Sequence, residues 1–135
     1  MNRTRRLIKA PKLYWCDPGL ALHLTGEPEP RGAHLENLVL LDLLAWRDAE
    51  ARRPEVLYWR TAAGQEVDFV IERPQQLLPI EVKAATRALP GDARGLEVFL
   101  NEYPRRARGG LLLYNGEEIF PLSKRVLAAP WWLVC

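Results

Sequence analysis

The stretch Gly64–Ala84, GQEVDFVIERPQQLLPIEVKA, holds the residues best suited to chemistry: Asp68 on one apolar run, and Glu81, Val82 and Lys83 on the next. Val67–Ile71 and Leu77–Val82 are short runs rich in β-branched and aromatic residues, separated by a polar patch containing Pro74, and so predict two adjacent strands of a hairpin. Side chains alternate between faces along a strand. Glu66, Asp68 and Val70 are therefore expected on one face of the first strand, with Val67, Phe69 and Ile71 on the other. On the second strand, Ile80 and Val82 point one way while Glu81 and Lys83 point the other. A turn centred between Pro74 and Gln75 sets Asp68 directly opposite Glu81, with Cβ atoms roughly 4.5–5.5 Å apart. Two carboxylates in one small volume repel each other, so the pair calls for a cation, supplied by Lys83 or by a bound metal ion.

The elements that must position this pair come from a chain of 135 residues, a single-domain length, with 48% hydrophobic and 27% charged residues. That is ordinary globular usage and argues against disorder. A formal charge of +2 is too small to demand a polyanionic partner. Two cysteines, Cys16 and Cys135, make neither a disulfide framework nor a metal-ligand spacing, and point to a reducing compartment. No apolar run reaches the ~20 residues of a membrane span, and the basic start MNRTRRLIKAPK leads into no apolar signal-peptide core. The expected location is cytoplasmic.

In chain order, KLYWCD (12–17) predicts a short strand, and Asp17-Pro18 an N-cap with proline at the first position of a short helix to about Leu24. Residues 1–31 thus form an extension packed on the core formed by residues 32–135, and the extension reads as structural. A long helix is expected from Ala33 to Arg52, apolar on most sides, with Leu38 and Leu44 buried. Glu36 lies at helical spacing from Leu40, Leu43 and Arg47, so a carboxylate heads an otherwise apolar stripe; taken alone, Glu36 is better read as complementing the positive end of the helix dipole. His23, His34 and Asp42 read as local surface or packing residues. EVLYWRT (55–61) predicts a strand before the hairpin, and Asp92 a cap for a helix over 93–103 with Leu96, Phe99 and Leu100 buried. GGLLLY (109–114) predicts a strand buried on both faces. Asn115-Gly116 signals a hairpin returning over 117–121, and Lys124–Ala128 carries a short helical pattern.

The order is helix, three strands, helix, strand, with Glu36 on the first helix, Asp68 on the second strand and Glu81-Val82-Lys83 on the third. This resembles the PD-(D/E)XK nuclease superfamily, whose restriction-endonuclease-like α/β core has the order αβββαβ, a central mixed sheet flanked by helices. More closely, KLYWCDPGLALHLTG, GAHLENLVLLDLL, YWRTAAGQEVDFVIE and LLPIEVKAA resemble the C-terminal domain of unknown function of prokaryotic AAA-type ATPases. The likeness spans nearly the whole chain. It departs at the N-terminus, since no GxxxxGK[ST] phosphate loop is present, so the chain reads as a stand-alone domain or a truncated product whose partner is an ATPase domain.

The resemblance implies Mg²⁺- or Mn²⁺-dependent hydrolysis of DNA phosphodiesters. Asp68 and Glu81 would be the main metal ligands, the Val82 carbonyl and Glu36 would complete the shell, and Lys83 would orient water or offset developing charge. Arg60, Arg87 and Arg94 flank this centre and would hold DNA, whereas Arg3, Arg5, Arg6, Arg105, Arg106 and Arg108 form distant clusters that read as solvated faces. The same residues also suit a second class of function, a non-catalytic interaction or regulatory module of an ATPase that keeps the fold and uses Lys83 only to neutralise the carboxylates. The residues leave substrate structure and oligomeric state open.

Overall fold

The computed structural model describes residues 12–134; Arg3, Arg5, Arg6 and Cys135 lie outside the described residues. Asp17 accepts the Leu20 amide at 3.0 Å and Pro18 takes the first position of α1 (Pro18–Thr25), which Gly26 ends in the left-handed conformation at φ 66°. α2 (Gly32–Ala49) follows, its start closed by the Arg31 amide donating to His34 Nδ1 at 3.0 Å. Then come β1 (Glu55–Arg60), β2 (Glu66–Arg73) and β3 (Gln76–Lys83). A 3₁₀ turn at Pro90–Ala93, in which Asp92 accepts the Leu89 amide at 2.8 Å, leads into α3 (Arg94–Glu102). β4 (Gly110–Tyr114), β5 (Phe120–Pro121) and β6 (Val126–Pro130) complete the sheet, and a 3₁₀ turn spans Trp131–Leu133.

The six strands form one mixed sheet in the order β1-β2-β3-β4-β6-β5. β1, β2 and β3 are an antiparallel meander, and β3, β4 and β6 run parallel. Leu112 and Leu113, adjacent on β4, are both fully buried on opposite faces, as a continuous apolar run between two strands requires. On one face α3 presents Leu96, Phe99 and Leu100, all 0% exposed, to Val67, Val70, Leu77 and Val126, with Trp59 edge-on to Phe99 at 5.3 Å. On the other, α2 covers Phe69, Ile71, Ile80 and Val82. Among the described residues no helix is long and apolar enough to cross a membrane.

Four local expectations are corrected. Residues 12–17 form no regular strand, because Trp15 finds its backbone partners in a side chain: its N–H donates to Asn37 Oδ1 at 2.7 Å, and Asn37 Nδ2 donates to its carbonyl at 2.8 Å. Leu38 and Leu44 are only partly buried; Val39 and Leu43 carry the α2 core contact, since a helix apolar on most sides leaves its buried stripe to the docking angle. β5 pairs with β6 rather than returning along β4, and the Tyr114 hydroxyl closes the intervening loop, donating to the Glu118 carbonyl at 2.8 Å and accepting its amide at 3.1 Å. The helical pattern near 124–128 becomes β6, because β4 offers a full parallel ladder from Gly110↔Val126 to Tyr114↔Pro130, and tertiary pairing overrides local propensity.

α3 can sit over the start of β2 only because Gly95 has no side chain: a Cβ there would lie 2.4 Å from the Glu66 carbonyl oxygen. Gly95→Ala should therefore push the helix off the sheet and lower stability by about 1–3 kcal/mol in urea unfolding. Gly32→Ala, where nothing lies within 4 Å of the added carbon, should stay within about 0.5 kcal/mol. Equal effects at the two sites would remove the close-approach explanation.

Candidate functional site

The hairpin register fixes the centre of the site. Arg73 pairs with Gln76 and Phe69 with Ile80, so the turn is Pro74-Gln75, and the same register carries Asp68 toward Glu81. The ladder stops at Phe69↔Ile80, and the Val82 N–H beyond it donates to Asp68 Oδ2 at 3.0 Å. A side chain thus takes up a main-chain donor at the point where the two strands part.

Strict alternation along β2 fails here. β1 pairs Leu57 with Val70 but Trp59 with Val67, so Asp68 and Phe69 together oppose the single Tyr58. This two-against-one bulge puts Val67 on the α3 face together with Val70, not opposite it as expected, while Phe69 and Ile71 face α2. A bulge bends its strand and re-aims the residue it carries. Here that residue is Asp68, which is brought against Lys12 on the α2 side while still holding β3.

Four charged side chains assemble around it, and one had not been expected there. Lys12 Nζ donates to Glu36 Oε1 at 2.9 Å and to Asp68 Oδ1 at 3.1 Å, and the Tyr14 hydroxyl donates to the same Glu36 oxygen at 2.5 Å. Lys83 Nζ donates to Glu81 Oε1 at 2.7 Å. The segment 12–17, expected to be structural only, thus delivers two polar groups to the site. The two Asn37 bonds to Trp15 set which way it faces: Lys12 and Tyr14 turn inward, and Leu13 and Trp15 remain exposed. The alternation K-L-Y-W hinted at one inward face, but nothing local names an acid 56 residues away.

Burial sets the electrostatics. Asp68 and Glu81 are 6% and 8% exposed. Burial pushes the Asp68 carboxyl up, and the Glu36 charge adds to this, against the Val82 amide and Lys12, which favour ionisation. Burial, then the Asp68 charge, pushes Glu81 up to about 7 despite the bond from Lys83. Burial works against the charges of Lys12 and Lys83, but their carboxylate partners outweigh it and hold both above the ordinary lysine value. Tyr14 is raised by burial and by its bond to Glu36.

The expected metal shell is only partly assembled. Glu36 is committed to Lys12 and Tyr14, and among the described residues no three His, Cys, Asp or Glu side chains converge on one cation position. Asp68 and Glu81 nevertheless suit a hard cation: Glu81 Oε2 is buried with no hydrogen-bond partner, and Mg²⁺ commonly uses one or two carboxylates and keeps several waters. Val82 contributes its amide to Asp68 and its side chain to the core. Of the basic residues, Arg87 and Arg94 are exposed near the end of β3 and the start of α3, and Arg60 faces Glu66 at 3.7 Å. Arg106 is no solvated side chain, since it donates to Glu72 at 3.1 Å and to the Arg73 carbonyl at 3.0 Å. His34 is confirmed as a local residue at the start of α2.

A bulged, carboxylate-bearing hairpin between two helices on a mixed sheet is the class of domain these residues define. The chain belongs to the family described as Domain of unknown function (DUF4143), whose model matches residues 31–134. It is similar to two uncharacterized proteins, one of Mycobacterium bovis and one of Mycobacterium tuberculosis, each 33% identical over 138 residues covering 96% of this chain. The chain spans 29% of the length of these curated relatives.

Between the ordinary glutamate range and about 7, folded Glu81 holds a proton that the unfolded chain has released, so stability falls as pH rises through that window. Thermal melts of metal-free protein should give a higher Tm at pH 5 than at pH 8, and Glu81→Gln should narrow the difference. A pH dependence unchanged in the variant would assign it to another group.

Proposed function

We propose that this domain is a metal-dependent phosphodiesterase of the restriction-endonuclease-like class, acting on DNA. The observation that carries this reading is the buried, partnerless Glu81 Oε2 beside Asp68, at the parting of two strands where Lys83 also lies. The element order αβββαβ from α2 to β4 and the placement of Glu36, Asp68 and Glu81-Val82-Lys83 along it support the same class.

Bound Mg²⁺ or Mn²⁺ would polarise the phosphoryl oxygen and acidify water. Asp68 and Glu81 would hold it, with the Val82 carbonyl as the backbone ligand that the resemblance implies. Asp68 is preset by the Val82 amide, so its orientation costs little on binding. Lys83 is 37% exposed at its side chain and anchored to Glu81, so its ammonium can reach a phosphate oxygen and offset charge that grows in the transition state. Arg60, Arg87 and Arg94, which flank the centre in sequence, would hold the DNA backbone. At the Pro74-Gln75 end of the hairpin, a groove of about 1060 Å³ is lined by Arg73, Arg106 and Arg125, paired with Glu50, Glu72 and Glu97, and by Arg105, Arg108 and Lys124, whose charge supports a polyanionic partner.

A second reading, a docking module for an ATPase domain, rests on a different observation. Lys12 and Lys83 already neutralise the acids, while Leu13, Trp15, Leu20 and Leu24 stand 91%, 52%, 46% and 64% exposed at the N-terminal end of the described chain. The greater length of the curated relatives leaves room for such a partner domain.

Cleavage of single-stranded and duplex DNA with Mg²⁺ separates the two. Lys83→Ala should lower turnover roughly a hundredfold or more while the protein stays folded, and Mg²⁺ should raise the Tm of wild type but not of Asp68→Ala. Absence of cleavage on every substrate, with the same Tm response in both proteins, would leave the docking module standing.

A further inference from the structure

The polar groups of residues 12–17 are unexplained by the phosphodiesterase reading. A metal-binding carboxylate trio needs no lysine, yet Lys12 Nζ stands between Glu36 and Asp68, 2.9 and 3.1 Å from their oxygens, with its side chain 28% exposed. The lysine is fixed rather than wandering. Tyr14, two residues on, donates to the Glu36 oxygen that Lys12 also uses and packs its ring against Phe69 at 6.2 Å. One residue further, both backbone groups of Trp15 are held by Asn37, which is 4% exposed on the first turns of α2. Three contacts to α2 therefore clip a short irregular segment so that one ammonium is delivered to a fixed point.

We infer that Lys12 is the resident cation of this site, and that its hold on Glu36 and Asp68 sets how tightly an external divalent ion binds there. This rests on the reading of Asp68 and Glu81 as a metal-binding pair. The physical argument is charge competition. A cation entering beside Asp68 meets an ammonium already within ion-pair distance of that carboxylate, and like charges a few ångströms apart in a partly buried site repel far more than in water. Glu36, the third acid that a metal shell would recruit, has its Oε1 taken by the same ammonium and by the Tyr14 hydroxyl. The clip thus lowers metal affinity while keeping the two acids folded without metal, so residues 12–17 act as an affinity-setting strap.

Calorimetric titration of the full chain with Mn²⁺ tests this. Lys12→Met keeps the aliphatic stem and removes the charge, and it should bind Mn²⁺ at least tenfold more tightly than wild type. Its metal-free Tm should lie below that of wild type, and saturating Mn²⁺ should close the gap, a rescue that a merely structural lysine would not show. Asn37→Ser, which loosens the clip without touching the carboxylates, should shift affinity in the same direction by a smaller factor. Should Lys12→Met fail to fold, Lys12→Gln carries the same titration with hydrogen bonding retained. Equal Mn²⁺ affinity in wild type and the Lys12 variant, with binding lost in Asp68→Asn, would overturn the competition while leaving the metal pair intact. No Mn²⁺ binding by either protein would overturn the metal pair and the competition together.

Discussion

The structure turns on two carboxylates that one hairpin brings together out of water. Asp68 and Glu81 cannot both be charged in that volume without help, and the help comes from two places: Lys83 from the same strand as Glu81, and Lys12 from a segment bonded to α2. Each ammonium is held by a bond to a carboxylate. A buried ion pair is weak evidence for stability, since desolvation offsets much of the attraction; a non-polar pair at positions 68 and 81 would have packed on the sheet at less expense.

Much of this was legible from residue order. The hairpin followed from two β-rich runs around Pro74-Gln75, and its two-residue turn is as expected. Leu96, Phe99 and Leu100 were identified by spacing and are fully buried, because α3 has one apolar stripe and charged neighbours that leave a single way to dock. The family match over residues 31–134 bears out the coarser part of the likeness read from short motifs, a domain of unknown function.

What was not legible shares one cause: dependence on a partner distant in sequence. The bulge at Asp68 is a property of the β1–β2 pairing, not of β2, and a run such as EVDFVIE contains no glycine to announce it. The residues of β6 carry helix-compatible Leu and Ala, and only the open edge of β4 makes them a strand. Lys12 resembled any surface lysine near a basic terminus; its meaning depends on Asn37, whose amide stands in for a missing strand and faces a backbone that would otherwise be free to turn over.

That amide clip has a consequence for the order of assembly. Asp68 meets the Val82 amide across a separation of 14 residues, whereas Lys12 meets Asp68 across 56. Loop closure grows more unfavourable by about 0.6 kcal/mol for each doubling of length, so the fourfold longer loop carries about 1.2 kcal/mol more. The acidic hairpin is thus the early, local event, and its second counter-charge is the late, long-range one. Before Lys12 closes that longer loop, Lys83 is the counter-charge that the hairpin carries within itself.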